Sequence, residues 1–98
     1  MLKLTIVAKI LVKKDFVDAV KTELIKLIVP SRNESGCIEY NLHQDNEDPA
    51  VFVFYETWES VSFFEKHTGT DHYKTYVRAI DGMIEQKIVN KMTRIEST

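Results

Sequence analysis

The chain has 98 residues, 44% of them apolar, with 13 basic and 15 acidic side chains for a net charge of −2, enough for one domain (1–98) with a modest core. Scattered, nearly balanced charge gives no basic footprint for nucleic acid, and no apolar run approaches the roughly 20 residues that span a bilayer. A start that enters a strand pattern at once (Met1-Leu2-Lys3-Leu4-Thr5-Ile6), rather than a secretory leader, and a single cysteine, Cys37, point to the cytoplasm.

Leu2, Leu4, Ile6, Ala8, Ile10 and Val12 alternate with Lys3, Thr5, Lys9 and Lys13, the period of a strand with one buried face. Asp15 stands at an N-cap position, and Val17, Val20, Leu24, Leu27 and Ile28 follow at helical spacing, which predicts a helix to about Val29. Pro30 stops it. Ser31-Arg32-Asn33-Glu34 has capping-box spacing for one more turn, and Gly36 ends that turn. Two strands follow, Cys37 to Gln44 and Val51 to Trp58, joined as a hairpin by the acidic loop Asp45-Asn46-Glu47-Asp48-Pro49. Ser60 caps a short helix with Val61, Phe63 and Phe64, stopped at Gly69. Thr70 or Asp71 caps another, with Tyr73, Tyr76, Val77 and Ile80 toward the core and Gly82 as its stop. A last strand runs from Ile84 to Ile95, with Ile84, Ile88 and Met92 on one parity and Val89 and Ile95 on the other.

The order βαββααβ is the α+β, ferredoxin-like arrangement, an antiparallel sheet with helices on one face. In the third strand Val51, Val53 and Tyr55 lie on one parity and Phe52, Phe54 and Trp58 on the other. One chain's helices cover only one of those faces, so the second calls for a partner, most simply a homodimer through the sheet faces.

Candidate chemistry falls on few residues. His67 and His72 flank Gly69 and are candidate bases, since histidine titrates near neutrality. His43, His67 and His72 have no compact ligand spacing and there is no thiolate pair, so no metal site is expected. Trp58 is a candidate stacking platform for an aromatic ligand. Glu56 shares its parity and is expected to be buried and paired to Arg32 or Arg78, or to face a polar cavity. Tyr40 and Tyr76 are candidate hydrogen-bond donors to a ligand, Asn41 a polar contact on the second strand, and Cys37 a small packed residue.

Glu34-Ser35-Gly36-Cys37, then Tyr40, Phe54-Tyr55-Glu56-Thr57-Trp58-Glu59-Ser60, His67 and Asp71-His72-Tyr73-Lys74 resemble the antibiotic biosynthesis monooxygenase (ABM) family, its quinol monooxygenase-like members in particular. The resemblance implies a dimeric α+β barrel with a pocket between sheet and helices. It also implies oxidation of a quinol or other dihydroxyaromatic by molecular oxygen without metal or flavin. A haem-degrading branch implies an Asn in the first strand and a His on the late helix; this chain has no Asn in that strand and Tyr76 at that helical position. A branch that isomerises a phosphorylated dione is similar around residues 67–75, where Lys74 suits a phosphate, but it commonly lacks the tryptophan found here as Trp58. A non-catalytic ligand-binding dimer is the third reading.

Overall fold

Leu4, Ile6, Ala8, Ile10 and Val12 form the buried face of a strand that crosses the centre of the molecule, and everything else is laid against it. The computed structural model describes residues 2–96; Met1, Ser97 and Thr98 of the 1–98 reading lie outside them. The elements are β1 (Leu4–Val12), a 3-10 turn (Lys14–Phe16), α1 (Val17–Lys26), α2 (Ile28–Arg32), β2 (Cys37–Gln44), β3 (Val51–Trp58), α3 (Val61–Thr68), α4 (Asp71–Ala79) and β4 (Ile84–Met92). The sheet is antiparallel with strand order β2-β3-β1-β4, the ferredoxin-like topology the element order predicts.

Parity decides which side chains meet the helices. Ile6 pairs with Glu56 and Ala8 with Phe54 across β1 and β3, and Tyr40 pairs with Glu56 across β2 and β3, so these five rise from the helix-covered face. Val20, Leu24 and Leu27 of the first helical segment, Phe64 of α3, Tyr76 of α4 and its C-cap Ile80 close over them. The opposite face is covered by no helix and carries Val7, Leu11, Val53, Tyr55, Ile88 and Met92 beside Lys9, His43 and Asn90.

Several expectations are corrected. Asp15 is not the cap of α1; it lies inside the 3-10 turn, and Phe16 holds the N-cap position with no side-chain bond. The first helix breaks at Leu27, not Val29, because Pro30 has no N–H for Lys26 O and its ring crowds that carbonyl. Placed at the third position of α2, Pro30 is harmless, since first-turn N–H groups have no intrahelical partner. Ser31 therefore sits inside α2, buried, with Oγ unbonded, and opens no capping box. Ser60 does occupy the N-cap of α3, yet its buried hydroxyl bonds nothing; Thr70 caps α4 by accepting from Tyr73 N. Val77 is exposed and Leu2 precedes β1. A register shift between Leu11 and Val12 sets Ile84 opposite buried Val12, whereas Ile88 and Met92 face out with Lys9 and Thr5. That shift also turns Lys87, Val89 and Lys91 toward the helices, opposite Ile10, Ala8 and Ile6.

Candidate active site

The site begins at a turn that only glycine can make. Gly36 has φ +82°, and a Cβ built there would fall 2.2 Å from the Phe63 ring. Gly36 O also accepts Glu59 N at 2.8 Å, which pins the turn between α2 and β2 to the end of β3. This fixes Glu34, two residues earlier. Its Oε2 receives His67 Nδ1–H at 2.6 Å and His72 Nε2–H at 2.7 Å. A carboxylate only accepts, so both imidazoles donate to it, which assigns the free lone pair to His67 Nε2 when that ring is neutral.

His67 reaches this position because α3 buries Phe64 and His67, three residues apart, on one face. His72 lies at the start of α4, after Gly69 and Thr70, where Thr70 Oγ1 donates to His67 O at 2.7 Å. The two histidines differ in surroundings: His67 is 1% exposed and His72 26% by side chain. Rings of Trp58 (4.8 Å), Tyr73 (5.1 Å), Tyr40 (5.4 Å) and Phe64 (6.1 Å) enclose His67. This burial pushes its pKa below the ordinary value, outweighing the bond to Glu34 that raises it.

Below His67 lies a cavity of about 20 Å³ lined by Tyr40, Glu56, His67, Tyr73, Tyr76 and Lys87 over an apolar floor of Ile6, Ala8 and Phe54. That volume suits one water molecule, so an aromatic ring enters only if side chains move. Glu56 rises from the middle of β3. Trp58 Nε1–H donates to its Oε1 at 2.9 Å. Burial pushes its carboxyl up to about 7, against the Trp58 bond and the nearby charge of Lys87, which lower it. Neither expected partner pairs with Glu56: Arg32 donates instead to Tyr40 O (3.0 Å) and Asn41 Oδ1 (3.2 Å), and Arg78 to Thr75.

Lys87 closes one side of the cavity. Its Nζ donates to the Tyr73 hydroxyl at 3.0 Å and lies 5.2 and 5.1 Å from the Tyr73 and Tyr76 ring centres. Burial of the ammonium opposes its charge, but the oxygens of Tyr76 and Tyr73 outweigh that and raise its pKa. Burial likewise raises Tyr40 and Tyr76, and holds the Cys37 thiol up at about 11, an inert packed residue.

Of the expected site residues, His67, Tyr40, Glu56 and Tyr76 meet at this cavity. Trp58 does not line it; the indole is fully buried beneath His67, so it supports the imidazole rather than offering a free stacking face. His72 borders a separate groove of about 180 Å³ with Glu23, Lys26, Asp71, Thr75 and Tyr76. Asn41 pairs with Tyr55 on the helix-free face, and Lys74 is exposed and lines neither space. Glu34 stood out in the sequence for its capping-box spacing and its Glu-x-Gly-Cys motif, with no side-chain role, and Lys87 did not stand out. The signal for Glu34 was its Glu-x-Gly-Cys setting; Lys87 was hidden by the register shift in β4. Spacing also hid a constellation able to hold a metal ion: the donor atoms of Glu34, His67 and His72 lie within 4.8 Å of one another, although Glu34 is 33 residues from His67.

A family described as "Antibiotic biosynthesis monooxygenase" matches residues 3–79 of the chain. The chain belongs to that family. Protein PA3566 of Pseudomonas aeruginosa superimposes with a TM-score of 0.94 at 30% identity, over 98% of this chain and 97% of that one. An uncharacterized Synechocystis protein, sll1783, is 29% identical over 82 residues, 80% of this chain but only 56% of its own length. This ABM chain thus spans little more than half of that relative. Rv0793 of Mycobacterium tuberculosis, provisionally named a monooxygenase, is 25% identical over 83 residues, 85% of this chain and 81% of its own. Among the described residues, no helix is long and apolar enough to cross a membrane.

Proposed function

We propose that this ABM protein is a cytoplasmic, cofactor-independent monooxygenase that oxidises a quinol or other dihydroxyaromatic with molecular oxygen. The observation that carries the reading is the Glu34–His67 pair at 2.6 Å, with His67 bordering the cavity. Glu34 orients the imidazole and stabilises the imidazolium, the arrangement that makes histidine an effective base. A phenolic hydroxyl gives its proton to His67 Nε2. The electron-rich anion then transfers an electron to oxygen, and the two radicals combine at a ring carbon bearing hydrogen, where the peroxide anion takes the proton back from His67 to give a hydroperoxide. Loss of water from that hydroperoxide leaves a carbonyl, with one oxygen atom in the product and one in water. Tyr76 and Tyr40 orient the substrate oxygens, Lys87 favours the anion, and the apolar floor excludes water. Entry requires the Lys87–Tyr73 bond to open. Depletion of a phosphorylated dione without oxygen uptake would instead mark an isomerase.

Oxygen uptake by metal-free protein supplied with menadiol tests this. The expected result is a rate well above buffer that collapses in His67→Gln. No stimulation, or stimulation that survives in His67→Gln, defeats the mechanism.

We also propose that the protein works as a homodimer through the helix-free sheet face, where Tyr55, Ile88 and Met92 are about 40% exposed in the single chain. Sedimentation equilibrium is expected to give twice the chain mass; a monomer at micromolar concentration counts against it.

A further inference from the structure

Glu34, His67 and His72 come from three segments: the turn before β2, the last turn of α3 and the first turn of α4. The fold spends considerable constraint on bringing them together. Gly36 shapes the turn, burial immobilises His67, and Thr70 ties the α3–α4 junction through His67 O and Tyr73 N. The result is one carboxylate oxygen at 2.6 and 2.7 Å from two imidazole nitrogens.

We propose that this trio is a binding site for a divalent cation of the zinc class, with His67 Nδ1, His72 Nε2 and a Glu34 oxygen as ligands and a fourth position open toward the groove. Two imidazoles and one carboxylate are a donor set zinc takes at sites that keep one position free. Metal–ligand bonds near 2.0–2.1 Å place tetrahedral donors roughly 3.3 Å apart. The two nitrogen–oxygen separations must therefore open by roughly 0.6 Å, and the histidines, no more than 4.8 Å apart, must close modestly. Side-chain rotation supplies both. Neither imidazole needs to lose its proton altogether: the proton moves from Nδ1 to Nε2 in His67 and from Nε2 to Nδ1 in His72, and the carboxylate offsets half the cation's charge. The groove beside His72 offers an entry path, with Asp71 on its wall and Glu23 there paired to Lys26.

One consequence rests on the oxygenase reading. A metal on Nδ1 leaves the His67 proton on Nε2, facing the cavity, and the imidazole can no longer accept a proton from substrate. Metal occupancy then silences the base.

Cobalt(II) chloride titrated into chelator-treated, desalted full-length protein is the probe, with the visible d–d absorption as readout. The expected result is saturation at one equivalent, displacement by zinc, and binding weakened about tenfold or more in His72→Ala and Glu34→Gln. His72→Ala truncates a partly exposed side chain, and circular dichroism confirms that each variant is folded. No absorption at millimolar cobalt, or binding equal in wild type and His72→Ala, overturns the site and leaves the trio a hydrogen-bonded brace. The titration needs no turnover, so it stands or falls apart from the oxygenase reading. Zinc inhibition of menadiol-dependent oxygen uptake, relieved by chelator, tests the consequence; uptake unchanged at saturating zinc overturns it.

Discussion

Two carboxylates border the functional region, and the fold treats them in opposite ways. Glu34, on the helix side, sits in a turn and receives two imidazole donors through one oxygen. Glu56, on the sheet side, stands mid-strand, 3% exposed, with one indole donor and no ion pair among the described residues. The first side chain fixes the orientation of two imidazoles. The second is stored in an environment that favours its neutral form. A cavity can thus hold two proton-exchanging groups in different states because one wall is built from turns, which bring donors together, and the other from a strand, which offers only its neighbours.

The sharpest way to break the helix-side wall is Gly36→Ala. The positive φ and the collision with Phe63 act together, and a loss of roughly 4 kcal/mol is expected in chemical denaturation. Gly82→Ala is the control: φ is +79° but the space around it is open, so about 1 kcal/mol is expected. Equal losses would mean that the Phe63 contact does not hold the turn.

The sheet-side wall is tested by pH. Glu56 is raised from 4.5 to about 7, so the folded state binds its proton more tightly than the unfolded chain does. Stability from this group is full below pH 4.5 and is lost as pH rises through 7, a swing of about 3 kcal/mol. His67 works in the other direction: its depressed pKa means stability is lost as pH falls below its ordinary 6.5. Glu56→Gln keeps an acceptor for Trp58 and is expected to flatten the rise in stability between pH 7 and 4.5 in thermal melts. A variant with an unchanged profile would place Glu56 outside this linkage.

Trp58→Phe removes the donor to Glu56 and empties space beneath His67. About 2 kcal/mol is expected, with the Glu56 transition moving to higher pH. Lys87→Met is the mildest change, less than about 1 kcal/mol, because the side chain lies on an exposed edge strand; a larger loss would make Lys87 a structural post rather than a gate.

Much of the sheet was legible because strand parity is a local property: Phe52, Phe54, Glu56 and Trp58 share the buried face as their spacing predicts, and the two-sided character of β3 follows from the same count. The helix ends at Gly69 and Thr70 were legible for the same reason, whereas α2 closes at Asn33 and α4 at Ile80, short of Gly36 and Gly82. The break at Leu27 was not, since a proline acts on the carbonyl four residues before it. Lys87 was obscured by a one-residue register shift that no periodicity displays. The partnership of Glu34 with His67 and His72 joins residues more than 30 positions apart; local patterns carry no trace of it beyond the unusual Glu-x-Gly turn.

The central claim is that burial keeps His67 neutral and Glu34 fixes its tautomer, with the proton on Nδ1 and the lone pair on Nε2. Heteronuclear NMR correlating the carbon-bound ring protons with both imidazole nitrogens, on metal-free labelled protein at neutral pH, reads that state directly. The prediction is the Nδ1–H tautomer for His67 in wild type and its loss in Glu34→Gln; an Nε2–H tautomer or an imidazolium at His67 would contradict it.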